Sequence, residues 1–242
     1  LSWRPFSEST LRIRASYKDI FRVPTFTDLY YLRMGNTNLK PEETSQYNVG
    51  VTWSSSCGDW LRHFSISADG YYNTVKDKIV ALPTMYVWKM MNMGEVDIKG
   101  VDVNLSTQFR LPLRMSLLLA STYSFQYAVD VTDPEAKNYK DQIPYTPRHS
   151  GTVSVTLENP WVNVSYILTA VGDRYALPQN IDRNRIDSYI EQSISINRDF
   201  RFRYFGLRLQ GELLNLANVN YDVIQYYPMP GRSWRLSICL SY

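Results

Sequence analysis

Two histidines, His63 and His149, are the side chains of this 242-residue chain whose ordinary pKa suits proton transfer near neutrality. His149 follows Arg148, with Asp130, Asp133 and Asp141 upstream as conceivable orienting carboxylates, while His63 falls near a short turn. The spacing of neither completes a nucleophile, base and orienter set, so the chemistry to look for is recognition and not turnover. Cys57 and Cys239 stand far apart, match no metal or redox spacing, and read as free structural thiols. The other charges sit on one face of alternating segments. Arg12, Arg14 and Lys18 balance Asp69, Asp102, Glu191 and Glu212, with Arg208 and Arg235 nearby, as in a solvated interior whose charges pair across neighbouring strands.

Those positions imply the elements that carry them. From Leu11, the apolar residues Leu11, Ile13, Ala15 and Tyr17 alternate with Arg12, Arg14, Ser16 and Lys18, and the same period of two recurs along the chain. Ten candidate strands result. They are centred on residues 11–18, 46–53, 63–72, 101–109, 115–125, 152–157, 162–170, 186–196, 205–213 and 234–242. The longest exceed the roughly five to six residues of a mean soluble strand. One short helical turn is expected, at Pro134-Glu135-Ala136-Lys137. No apolar run is long enough for a membrane-spanning helix. A net charge of +3 with scattered basic residues argues against nucleic acid. Asn163-Val164-Ser165 matches a glycosylation acceptor but falls mid-strand and is set aside.

Connections alternate in length. Short joins are expected near Ser56 to Asp59, at Leu111-Pro112-Leu113, at Glu158-Asn159-Pro160 and near Asp199 to Arg201. Long ones run roughly over 19–42, 76–96, 128–148, 172–185 and 215–232. Short turns at one end and long loops at the other are the pattern of an antiparallel transmembrane β-barrel in a bacterial outer membrane, with lipid against its outer face. Aromatics mark both ends of the apolar faces: Trp53, Phe64, Phe109, Phe205 and Tyr242 near the short turns, Tyr17, Tyr72, Phe125 and Trp234 near the loops. A soluble β-sandwich is the alternative, but its strands are shorter and its loops cluster at both ends.

The segment Phe21-Arg22-Val23-Pro24-Thr25-Phe26-Thr27-Asp28-Leu29-Tyr30, followed by Gly35-Asn36-Thr37-Asn38-Leu39-Lys40-Pro41-Glu42, resembles a signature loop of TonB-dependent outer-membrane receptors. Pro144-Tyr145-Thr146-Pro147-Arg148-His149 is similar to the same family, as are Leu214-Asn215-Leu216-Ala217-Asn218 with Tyr221 and Tyr227-Pro228-Met229-Pro230-Gly231-Arg232. Trp234, Leu236, Ile238, Leu240 and Tyr242 resemble the closing signal read by the barrel insertion machinery. The resemblance implies a barrel of about 22 strands closed by a plug, of which residues 1–242 hold about ten C-terminal strands. No initiator Met or signal peptide is present, which fits an excised or processed piece of a longer precursor.

What the resemblance implies for function is TonB-energised uptake of a scarce nutrient, a metal chelate or corrinoid, with no resident cofactor or metal, and with the TonB complex engaged through the missing plug. Ligand contacts would come from the loops: Phe21, Arg22, Tyr30, Tyr31, Arg33 and Met34 in the first, Tyr226 and Tyr227 in the last. Aromatics and Met give adaptable apolar contact, and Arg matches carboxylate or phosphate. The plainer reading is that Phe21, Pro24, Asn36, Asn38 and Leu39 fold the loop on itself. Haem receptors that look similar carry a His between the two halves of the loop, absent here, although haem iron also accepts Tyr, which leaves Tyr30 and Tyr31. Arg12, Arg14, Asp69, Asp102, Glu191, Glu212 and Arg235 would face the lumen. The alternatives are a passive porin and a small outer-membrane barrel enzyme of protease or phospholipase type using His149.

Overall fold

The computed structural model describes residues 1–5 and 10–241. Its strands are β1 (Ser2–Trp3), β2 (Leu11–Arg22), β3 (Glu42–Cys57), β4 (Leu61–Pro83), β5 (Trp88–Leu111), β6 (Met115–Asp130), β7 (His149–Glu158), β8 (Asn163–Val171), β9 (Arg174–Tyr175), β10 (Arg185–Ile186), β11 (Tyr189–Arg201), β12 (Gly206–Leu214), β13 (Asp222–Ile224), β14 (Tyr227–Pro228) and β15 (Ser233–Ser241). One antiparallel meander takes eleven of them, in the order β1-β2-β3-β4-β5-β6-β7-β8-β11-β12-β15. The ribbons β9/β10 and β13/β14 belong to loops. Since β1 has two residues, ten strands carry the sheet, matching the ten read from alternation.

Register is continuous across the middle of the sheet, with shifts beside the first short turn, at Ser55/Cys57 and Leu61/His63. One row reads Arg14, Gly50, Asp69, Asp102, Ser124, Ser150, Val171 and Tyr189, and the next reads Arg12, Thr52, Ser67, Asn104, Thr122, Thr152, Thr169 and Glu191. Glu212 and Arg235 pair in the last hairpin on the same face. The opposite face is apolar and uncovered. On β15, Leu236, Ile238 and Leu240 are 65%, 64% and 64% exposed, which a soluble sandwich would bury against a second sheet. Tyr242 lies outside the described residues.

Aromatics occupy neighbouring strands at matching heights. Tyr17, Tyr47 and Tyr72 are in register, with ring centroids 4.9 and 6.4 Å apart. Near the short turns, Trp53 meets Phe64 edge-on at 5.2 Å and Trp60 stacks on Phe109 at 5.8 Å. Such pairs add roughly 0.5–1.5 kcal/mol beyond burial.

Three expectations need correction. Residues 76–96 are mostly strand: β4 and β5 run 23 and 24 residues, well past the nine to eleven that cross a bilayer, and reverse at 84–87. Strict alternation fades there because Val75, Val96, Ile98 and Ala128 turn inward under the 131–148 loop, whose Ile143 completes a buried cluster. The last short turn is 202–205, because Asp199 and Phe200 still pair with Arg208 and Leu207. No helix forms at 134–137; those residues lie in β-turns, and the helix is α1 (Phe26–Tyr30) in the first loop, with a 3-10 turn at Asp182–Asn184. Thr25 and Asp28, a cap pair at the spacing of a capping box, carried that signal.

In the full-length protein folded into phospholipid vesicles, Val103→Arg on the apolar face is expected to cost about 2–4 kcal/mol of unfolding free energy. Its neighbour Asn104→Arg, on the polar face, should cost under about 0.5 kcal/mol. Urea unfolding followed by tryptophan fluorescence measures both, and equal costs would reverse the assignment of faces.

Candidate ligand-binding site

The first loop is organised by Asp28. Its Oδ2 accepts the Thr25 N–H at 2.9 Å and Arg22 Nη2 at 3.0 Å, while its own N–H donates to Thr25 Oγ1 at 3.2 Å. Arg22 also reaches Glu42 at 3.5 Å, tying the start of the loop to its end. The Thr25 N–H, above all, and the Arg22 guanidinium hold the Asp28 carboxyl below its ordinary pKa against the opposing effect of burial. After α1 the chain packs so closely on itself that a Cβ at Gly35 would lie 2.6 Å from the Leu29 carbonyl oxygen.

Asparagines then stitch this loop to the β4–β5 hairpin. Asn36 Nδ2 donates to the Met90 carbonyl at 3.1 Å, and its Oδ1 accepts the Asn38 N–H at 3.0 Å. Asn92 treats Lys40 as a strand would, accepting its N–H at 2.8 Å and donating to its carbonyl at 3.1 Å. The Met90 N–H donates to the Met34 carbonyl at 2.9 Å.

The other loops form a second assembly. Asn180 pairs with both backbone groups of Gln142, at 2.8 and 3.0 Å, and the Tyr145 N–H reaches the Tyr175 carbonyl at 2.7 Å. Arg174, 3% exposed, donates Nη2 to the Asp222 and Val223 carbonyls and lies 5.5 Å from the centroid of the Tyr189 ring. Tyr189 stacks on Tyr221 at 4.0 Å, and Tyr221 donates its hydroxyl to Glu191 at 2.5 Å. Burial first, then the Glu191 carboxylate, raises the Tyr221 pKa, so the phenol stays a donor. Asn215 holds the last loop through the Val219 N–H and carbonyl, both at 2.9 Å, and Asn218 accepts the Arg232 N–H at 2.8 Å.

The expected ligand residues divide between the two assemblies. Tyr30, Tyr31 and Arg33 are exposed on the first loop, Arg33 with φ 67°, whereas Phe21, expected in that loop, still pairs with Glu43 in β2 and shares the alternation of Tyr17 on the apolar face. Arg22 is engaged by Asp28 and Glu42, and Met34 is half-buried. Tyr226 and Tyr227 are exposed on the β13/β14 ribbon, whose carbonyls rest on Arg174. Between that ribbon and 183–188 lies a polar cavity of about 410 Å³ lined by Arg183, Tyr221, Asp222 and Tyr226. Sequence reasoning passed over Arg174 and Asn180. Nothing marks them in a loop until their partners, distant in sequence, are brought beside them.

On the polar face, Arg14 Nη2 reaches Asp69 at 2.8 Å across β3, over Gly50, where a Cβ would collide with the Asp69 carboxylate. Glu212 pairs with Arg235, Asp102 accepts from Ser124 Oγ at 2.5 Å, and Arg208 forms two bonds with Asp199, at 2.6 and 3.0 Å. Arg12 lines a cleft with Arg4 and Arg14. His149 Nδ1 meets the Tyr123 hydroxyl at 2.8 Å on the apolar face, and its carboxylates of the sequence reading bond elsewhere: Asp130 to Asn138, Asp141 to Asn180. Among the described residues, no group of three His, Cys, Asp or Glu is placed to hold a metal.

Residues 1–216 match the family model described as TonB dependent receptor-like, beta-barrel. The chain belongs to the TonB-dependent receptor family. That family is one of transporters and receptors in outer-membrane barrels, not of enzymes. The Vitamin B12 transporter BtuB of Photobacterium profundum is 27% identical over 236 residues, covering 93% of this chain and 34% of that protein. The BtuB of Vibrio vulnificus is 24% identical over 221 residues, covering 88% and 32%. The chain thus spans about a third of the length of these curated relatives. Among solved structures, the copper transporter OprC superposes with a TM-score of 0.71 at 16% identity, covering 96% of this chain and 36% of that one. The ferric citrate transporter FecA gives 0.71 at 12%, covering 97% and 36%. At such identities the likeness is one of fold.

Asp28 sets a pH limit on the first loop. A carboxyl with a depressed native pKa contributes stability above its unfolded value, near about 4, and loses it as pH falls through the lower native value. Asp28→Asn is expected to speed amide exchange at Thr25 and around Asn36 at pH 7, and to leave little further change on acidification. Wild type should show that acceleration only below about pH 4. Hydrogen-exchange mass spectrometry reads both, and protection unaltered by the substitution would remove Asp28 from this role.

Proposed function

We propose that this chain is the C-terminal part of the barrel of a receptor that takes up a scarce nutrient in a TonB-energised manner. Corrinoids are the first candidate class, and ferric siderophores the second. A plug and the earlier strands, from the rest of the polypeptide, would close the lumen and contact the TonB complex. The observation that carries the reading is the rim. Loops rich in exposed Tyr and Arg are held in fixed shape by Asp28, Asn36, Asn92 and Asn180 above a polar face. A prearranged rim binds a large, dilute ligand without the entropic cost of ordering the loops.

Corrinoids come first because both curated relatives named above are vitamin B12 transporters. A corrin ring presents a broad apolar edge with amide side chains, suited to Tyr30, Tyr31, Tyr226 and Tyr227, while Arg33 offers a fork for a phosphate. Arg22 is assigned to loop support, because its guanidinium is shared by Asp28 and Glu42. Arg12, Arg14, Asp69, Asp102, Glu191, Glu212 and Arg235 would line the lumen, where Arg4, Arg12 and Arg14 offer positive charge to the plug.

The full-length receptor in outer-membrane vesicles is expected to bind cyanocobalamin, and Tyr30→Ala with Arg33→Ala to weaken binding at least tenfold, about 1.4 kcal/mol, with normal assembly. Equilibrium binding of radiolabelled vitamin is the measurement. Unchanged affinity in the double variant would move the site away from the first loop. Binding of a ferric siderophore with no cyanocobalamin binding would select the second class.

A further inference from the structure

The apolar face carries a groove that its register explains. Tyr123, Gly151, Ala170 and Ile190 form one row across β6, β7, β8 and β11, large, small, small, large. The two large residues stand three strand spacings apart, about 14 Å. Between them runs a groove of about 590 Å³, edged toward the loops by His149, Gly172 and Ser188. Two residues farther from the rim, Val153 and Leu168 refill the row. With Ser121 and Gln192 at the ends of that row, the groove is filled in its middle toward the membrane centre and runs on toward the loops.

Positive charge lies on the same face, beside the groove and nearer the rim. Lys99 shares the alternation of Val101 and Val103, and its Nζ is 5.1 Å from the centroid of the Tyr127 ring. Arg148 Cζ is also 5.1 Å from that centroid. Both cations are exposed, and among the described residues neither has a carboxylate within 4.0 Å. Arg148 is steadied by donating Nε to Gln142 Oε1 at 3.1 Å. Tyr127 stands four residues rimward of Tyr123 on β6, about 13 Å along the strand.

We propose that this outer face binds one anionic phosphate-bearing lipid, its phosphate held by Lys99 and Arg148 at the edge of the Tyr127 ring and an acyl chain in the groove over Gly151 and Ala170. The inference rests on the outer-membrane reading of the preceding subsection. A guanidinium fork and an ammonium suit phosphate oxygens. A groove continuous with the lipid-facing surface suits a hydrocarbon chain better than water. Free phosphate would use the cations and leave the groove idle, and an uncharged lipid would do the reverse, so the juxtaposition of the two favours a lipid that has both parts.

Native mass spectrometry of the full-length receptor, incubated with equal amounts of dioleoyl phosphatidylglycerol and dioleoyl phosphatidylcholine, tests this. One phosphatidylglycerol is expected to be retained with a preference of about tenfold, as for a site with two charge-assisted contacts. Lys99→Gln with Arg148→Gln should bring the preference within about twofold, and Ala170→Phe, which fills the groove, should lower retention of both lipids. Heat-modified gel migration verifies that each variant is folded. No preference in wild type, a preference untouched by the double substitution, retention untouched by Ala170→Phe, or displacement by inorganic phosphate alone would each overturn the proposal. Fractionation of cells keeps the two readings apart. A receptor found outside the outer membrane defeats the parent reading, whereas one located there without lipid preference defeats only this site.

Discussion

Backbone hydrogen bonding governs this structure at both levels. A strand facing hydrocarbon has no water to satisfy its N–H and C=O groups, so every span must be matched by a neighbour in continuous register. The rows from Arg14 to Tyr189 and from Arg12 to Glu191 show that matching across the sheet. Since one face must then meet lipid and the other water, alternation is imposed on each strand, and the aromatic rows follow where the medium changes.

At the rim the same requirement is met differently. The loops have few ladders of their own, and asparagine side chains take the place of a strand. Asn92 satisfies both backbone groups of Lys40, Asn180 both of Gln142, and Asn215 both of Val219. Asp28 adds a cap and an ion pair in the first loop. These contacts join segments distant in sequence, in two groups that meet where Ile143 packs against the β4–β5 hairpin and the Tyr145 ring lies 5.6 Å from that of Trp88. One is built on the β4–β5 hairpin and the other on Arg174. A ligand that touched Tyr30 and Tyr226 together would span both.

Charge follows a similar economy. The polar face pairs its ions at short range, Arg14 with Asp69 across a glycine, Glu212 with Arg235 and Asp199 with Arg208 within hairpins. These exposed pairs each add little to stability. Their effect is to leave a wet surface with few bare charges apart from the cleft at Arg4 and Arg12, while Lys99 and Arg148 mark the outer face.

The sequence by itself determined the ten main strands, their two faces, four of the five long connections, and the family, because a period of two and a contiguous motif are local properties. It also placed Tyr30, Tyr31, Arg33, Tyr226 and Tyr227 in loops, but Phe21, put there too, pairs with Glu43 in β2. It could not separate strand from loop at 76–96, where the inward face is buried under the 131–148 loop and alternation ceases to report orientation. Tertiary structure alone decided that Arg22 is bound to Asp28 and Glu42, that Arg174 anchors the last loop, and that Lys99 and Arg148 both lie beside the Tyr127 ring. Each of these depends on which strands lie side by side and in what register, and a single chain read linearly does not contain that distance.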